Sequence, residues 1–139
     1  GRGASTGNRF EPGKNPMSTM APTMIFNEEG KLMLITGSPG GSLIPAAILR
    51  VITGVIDFDL DIGQATMLPR VHKDWPKTGI LYERTVNSDV VRIINKRIGH
   101  KMTPEHTMGS TQSIHIINGV NYGYADLRRP GASVSSQEN

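Results

Sequence analysis

The chain has 139 residues, 37% of them in the AVILMFWYC set and 19% charged, with a net charge of +3 and no cysteine. That length suits one domain or a piece of one, and the apolar content excludes a wholly disordered chain. Disulfides and thiolate metal sites are excluded, and so small a net charge with only 5% aromatic residues argues against a nucleic-acid partner.

Residues 1–15 are rich in Gly, Ser, Thr, Asn and Pro and read as an extended arm; residues 133–139 read as a polar tail, leaving a body at 16–132. Within the body, 23–26 and 31–36 predict two strands joined by the turn residues Asn27-Glu28-Glu29-Gly30. A Gly-rich loop, Gly37-Ser38-Pro39-Gly40-Gly41-Ser42, then leads into an apolar helix at 43–56, with Ser42 as the expected N-cap and Pro45 in the first turn. Arg50, Thr53, Gly54 and Asp57 form a narrow polar stripe, so this helix is expected to be buried on most sides. It is too short and too interrupted for the ~20 residues of a membrane span. No export-signal pattern opens the chain, so any leader is expected to lie outside it.

A second helix at 61–68, capped by Asp61, ends before Pro69. Residues 81–83 predict a short strand, and Ser88 is placed to cap a helix at 89–98, with Val90, Val91, Ile94 and Ile98 inward and Gly99 as its stop. Strands at 112–117 and 120–124 flank Asn118-Gly119, a strong two-residue hairpin signal. The body is therefore mixed α/β, with antiparallel hairpins packed with helices and a sheet completed by other chain.

Several chemical motifs fail on spacing. The run Asp57-x-Asp59-x-Asp61 has Ile62 and Leu68 where a calcium loop needs Gly and Glu. His72, His100, His106 and His115 never stand at ligand spacing, so no metal site is expected. Ser38 is not a nucleophile of the elbow type, because Thr36 stands two residues before it and Pro39, after it, has no N–H for an oxyanion. What the loop offers is the N–H groups of Gly40 and Gly41, open to close approach at a helix N-terminus, as an oxyanion hole or anion cradle. Ser18-Thr19, between Pro16 and Pro22, presents two adjacent hydroxyls that can hold a carboxylate.

Lys14-Asn15-Pro16-Met17-Ser18-Thr19-Met20-Ala21-Pro22-Thr23 and Thr36-Gly37-Ser38-Pro39-Gly40-Gly41-Ser42 together resemble the small subunit of the γ-glutamyltranspeptidases, bacterial members above all. The likeness continues through Ala65-Thr66 and Pro69-Arg70-Val71-His72 to Met108-Gly109-Ser110-Thr111-Gln112-Ser113, covering about residues 7–132. It implies an N-terminal nucleophile hydrolase with an αββα sandwich, of which this chain would be the C-terminal part of the small subunit. A self-cleaving precursor (a zymogen) would expose an N-terminal Thr whose hydroxyl attacks γ-glutamyl amides such as glutathione, its α-amino group serving as base. The acyl group then passes to water or to an acceptor amino acid or peptide, and no cofactor is implied.

Carried over by the resemblance, Gly40 and Gly41 donate to the oxyanion, and Ser18 and Thr19 bind the substrate's α-carboxylate. The nucleophilic Thr, the rest of the small subunit and the large subunit are expected outside this chain, which should be inactive alone and, by family, periplasmic or secreted. Two positions depart from the family pattern: Ser18-Thr19 replaces Ser-Ser, and Asp126-Leu127-Arg128 replaces Asp-Pro-Arg. The rival expectations are a related acylase, of the cephalosporin acylase or poly-γ-glutamate transpeptidase type, and a non-catalytic binding or scaffold module of the same fold.

Overall fold

The computed structural model describes residues 9–74 and 79–136, so residues 1–8 of the arm, residues 75–78 and the last three residues of the tail lie outside the described part. Residues 9–22 form no helix or strand. Strand β1 (Thr23–Phe26) turns into β2 (Leu32–Gly37). Asn27 builds that turn, its Oδ1 accepting from the N–H groups of Glu29 (3.1 Å) and Lys31 (2.8 Å).

The entry to helix α1 (Ile44–Ile56) corrects the expected cap. A 3-10 turn, Gly41–Leu43, comes first, and Leu43 rather than Ser42 occupies the N-cap position, with no side-chain cap. The cause is Gly40, whose φ of 140° and ψ of 9° bend the chain so that its carbonyl accepts the Leu43 N–H at 3.1 Å. Helix α1 buries Ile44, Ala47, Ile48, Val51, Gly54 and Val55. Leu49 and Ile56 are exposed, so in this chain the helix buries one face rather than most sides. Gly54 belongs to that buried face and not to a polar stripe. A Cβ there would lie 2.8 Å from the Ala65 Cβ, so its lack of a side chain lets α1 and α2 (Ile62–Met67) touch. Asp61 caps α2 as expected, its Oδ1 accepting from the Gln64 N–H at 2.8 Å while the Gln64 side chain accepts from the Asp61 N–H.

A second sheet holds β3 (Val71–His72), β4 (Ile80–Glu83) and β5 (Met102–Glu105), with β4 and β5 parallel. Helix α3 (Ser88–Ile93) links β4 to β5 and continues as a π turn, Ile94–Ile98, that Gly99 ends at φ 82°. Asn87 caps α3 in place of Ser88, its Oδ1 accepting from the Asp89 N–H at 2.8 Å. Val90 and Ile98, expected inward, are 45% and 61% exposed.

Strands β6 (Gln112–Ile117) and β7 (Val120–Ala125) form the second hairpin, with Asn118 and Gly119 both at positive φ as its tight turn requires. The larger sheet has the order β1-β2-β6-β7, all antiparallel. Leu34, Val51, Val55, Ile62 and Ala65 form the core between this sheet and helices α1 and α2. On the sheet's other face Met24, Ile35 and Ile114 stand in one cross-strand row, with Met24 62% and Ile114 39% exposed.

The register also positions the loops. Thr23 lies opposite Thr36, Gly37 opposite Gln112, and Gln112 opposite Ala125. The segment entering β1, the loop leaving β2, the loop entering β6 and the segment leaving β7 therefore meet at one end of the sheet.

Candidate functional site

At that end the Gly-rich loop bridges β2 and α1. Gly40 and Gly41 both hold positive φ, 140° and 59°, and both are exposed. Among the described residues neither glycine N–H has a hydrogen-bond partner. Two donors of this kind, side by side at the start of a 13-residue helix, can serve an anion or an oxyanion. Ser18 and Thr19, in the segment leading to β1, are exposed as well, and the Ser18 Oγ accepts from the Met20 N–H at 3.1 Å. The sheet register brings both predicted pairs to the same end of the molecule.

Ser38 has a role other than chemistry. Its Oγ donates to the Pro39 carbonyl at 2.7 Å and accepts from the Ser110 N–H at 3.0 Å. Gly109 lies directly against this loop, since a Cβ on it would stand 2.7 Å from the Ser38 Oγ and 3.2 Å from the Pro39 oxygen. The Gly40 loop thus rests on Gly109 and Ser110.

Beneath those residues lies a buried quartet that sequence reasoning did not assemble. Arg70 and Asp126 are 2.7 Å apart, and Arg128 reaches both Glu83 (2.7 Å) and Asp126 (3.2 Å), with every one of these side chains under a tenth exposed. The Glu83 Oε1 accepts from the Met108 N–H at 3.0 Å and from the Arg128 Nε at 2.7 Å. Its Oε2 accepts from the Arg70 N–H at 3.0 Å and from the Arg128 Nη2 at 2.7 Å. Asp126 accepts from the Thr111 N–H at 2.9 Å, and the Arg70 Nη1 donates to the Met108 carbonyl at 2.8 Å. Residues 108 and 111 are clamped by opposite carboxylates.

Burial opposes the charge of Asp126, but the Arg128 and Thr111 N–H groups and the Arg70 guanidinium overcome it and hold its pKa below the ordinary carboxylate range. Burial and the neighbouring Arg128 cation lower the pKa of Arg70, against the pull of Asp126 and Glu83. Arg128 is also penalised by burial, yet its hydrogen bonds to Glu83 and the nearby carboxylates raise its pKa. The departure at Leu127 lies outside the quartet: that side chain is 67% exposed, while Asp126 and Arg128 face inward. The sequence signal for Glu83 was a charge ending an apolar strand, Ile80-Leu81-Tyr82, which alone does not reveal its partners.

The family model described as Gamma-glutamyltranspeptidase matches residues 2–136. A glutathione hydrolase proenzyme from Escherichia coli is 37% identical over 122 residues, which cover 87% of this chain and 21% of the relative. The chain thus spans about a fifth of that relative's length. Among solved structures, a mutant γ-glutamyltranspeptidase from Helicobacter pylori aligns with a TM-score of 0.80 at 32% identity, covering 90% of this chain and 69% of that one. A cephalosporin acylase from Bacillus halodurans shares the fold, with a TM-score of 0.73 at 24% identity over 79% of this chain and 21% of that one. Matching the family model over nearly its whole length, and folding as γ-glutamyltranspeptidase does, this α/β chain belongs to the γ-glutamyltranspeptidase family.

Proposed function

We propose that the chain is the C-terminal part of the small subunit of a γ-glutamyltransferase/glutathione hydrolase, to which it contributes the oxyanion and carboxylate contacts. The observation that carries this reading is that the exposed residues Gly40 and Gly41 have N–H groups without partners among the described residues, in the loop where the family resemblance implies an oxyanion hole. When the nucleophilic Thr of the remaining small subunit attacks a γ-glutamyl carbonyl, the carbonyl oxygen gains charge that these two donors stabilise. Ser18 and Thr19 hold the α-carboxylate at the other end of the substrate, which fixes the γ-carbonyl in the donors' reach. The acyl-enzyme then yields to water or to an amino acid or peptide. The partners are the large subunit and the upstream small-subunit chain of the same precursor, and the setting is periplasmic or secreted, as the family resemblance implies.

The test uses the complete small subunit, semisynthesised with an ester in place of the amide before the Gly41 nitrogen and assembled with its large subunit. Losing one donor lowers the acylation rate by about 10²–10³-fold. Substrate affinity falls far less, because the donors face charge that develops only in the transition state. Normal acylation by the ester variant would leave the loop a turn and nothing more. Replacing Ser18 and Thr19 with Ala weakens γ-glutamyl substrates while sparing acyl amides without an α-carboxylate. Equal loss on both, or better turnover of cephalosporin-type amides than of γ-glutamyl amides, would favour the acylase reading.

A further inference from the structure

The clamp under the Gly40 loop has a feature that stability does not explain. A buried ion pair adds little to folding compared with apolar residues of similar size. Glu83 nevertheless stands 3% exposed with four hydrogen bonds on its two oxygens, and two of the four come from backbone N–H groups, those of Arg70 and Met108. The Met108 bond holds one end of the turn whose other end Asp126 holds through the Thr111 N–H.

Between those two fixed points, Gly109 and Ser110 make the contacts to Ser38 and Pro39. The Ser110 N–H reaches the Ser38 Oγ at 3.0 Å, and the Cα of Gly109 lies 3.4 Å from the position of a Cβ on Gly40. Gly109 holds φ 74°, and a side chain there would strike the Ser38 Oγ, so the turn is packed as closely as a backbone allows. Among the described residues nothing bonds the N–H groups of Gly40 and Gly41, so the aim of those donors depends on what braces the loop from behind.

We infer that Glu83 is a positioning residue: through Met108, Gly109–Ser110 and Ser38 it sets the direction of the Gly40 and Gly41 N–H groups. This rests on the oxyanion reading above. Preorganised donors act only when held to within a fraction of an ångström, and a misplacement of about 1 Å can lower a rate about 10²-fold.

The experiment compares Glu83→Gln and Ser38→Ala with the parent in the complete, assembled protein. Glu83→Gln removes the charge and turns one acceptor oxygen into an NH₂ group, which faces either the Met108 N–H and Arg128 Nε or the Arg70 N–H and Arg128 Nη2. Ser38→Ala, at a half-exposed position, breaks the same path without touching the buried charges. Two readouts are taken: deuterium exchange of the peptide covering residues 37–43 against that of α1, and single-turnover acylation by a γ-glutamyl anilide against its affinity.

Both variants should speed exchange in 37–43 while leaving α1 as in the parent. Both should lower the acylation rate about 10²-fold with a far smaller change in affinity. Unchanged exchange in 37–43, or acylation at the parent rate in either variant, would overturn the positioning role. If Glu83→Gln fails to fold, Glu83→Asp, which keeps the charge but shortens the reach to the Met108 N–H, takes its place in both readouts. A parent protein that folds but never acylates sinks the oxyanion reading instead, while the exchange of 37–43 still reports whether Glu83 and Ser38 hold the loop.

Discussion

Asp126 carries a pH dependence whose sign follows from its depressed pKa. A carboxylate stabilised in the folded state contributes fully above its ordinary pKa, near pH 4, and that contribution is lost as the pH falls through the lower folded-state value. Asp126→Asn should therefore lower stability near neutral pH by about 3–5 kcal/mol, because Arg70 and Arg128 keep buried charges with one partner fewer. The deficit should shrink in strong acid, where the parent has lost the same interaction. Denaturant unfolding at neutral pH and in strong acid checks this, and an equal deficit in both would assign the effect to shape rather than charge. Thr66 invites the opposite change. It is fully buried and its hydroxyl has no partner among the described residues, although its carbonyl accepts from Arg70 (3.2 Å) and Arg128 (2.9 Å). Thr66→Val keeps the shape and both carbonyl bonds, so it should be neutral or raise stability by about 1 kcal/mol. A clear drop in melting temperature would show that the hydroxyl is used.

Helices α1 and α2 meet at Gly54 and Ala65, where no room remains for another methyl group. Gly54→Ala should destabilise the protein by about 1–3 kcal/mol despite its better helix propensity. Adding Ala65→Gly should recover part of the loss, and a melting curve for the double variant no better than the single one would place the strain elsewhere. Elements built from neighbouring residues were legible in the sequence: both hairpins, whose turns are made by Asn27 and by Asn118-Gly119, and α2 with its Asp61-Gln64 cap. The Ser42 cap failed because Gly40 sets the helix entry, and Gly40 packs against Gly109, far away in sequence. Strands β3 and β5 were illegible for a related reason. One has two residues, the other contains Pro104, and both are defined by pairing with β4 rather than by a pattern of their own. The two candidate loops stand out in the sequence because glycines and paired hydroxyls announce backbone and polar chemistry, and their roles remain proposals. The quartet could not, since it joins residues 45 and 56 positions apart.

The molecule presents an apolar sheet face with Met24 and Ile114 exposed, and on the proposed reading the nucleophilic Thr is supplied by other chain. The 139-residue chain alone should therefore give no turnover of a γ-glutamyl anilide. Turnover by rigorously purified chain, abolished by a substitution within it, would refute this. The long reach of Arg128 has a further consequence for how such a protein is made. Its guanidinium closes onto Glu83 across 45 residues and onto the Thr66 carbonyl across 62. A ribosome delivers Gly40 and Gly41 before the residues that complete their brace, which follow only after every described strand of the sheet has been translated. A nascent chain stalled short of Asp126 carries the donors but lacks the arginine and the aspartate that finish the clamp. Translation order thus lets the brace close only after both candidate loops and every described strand have been made.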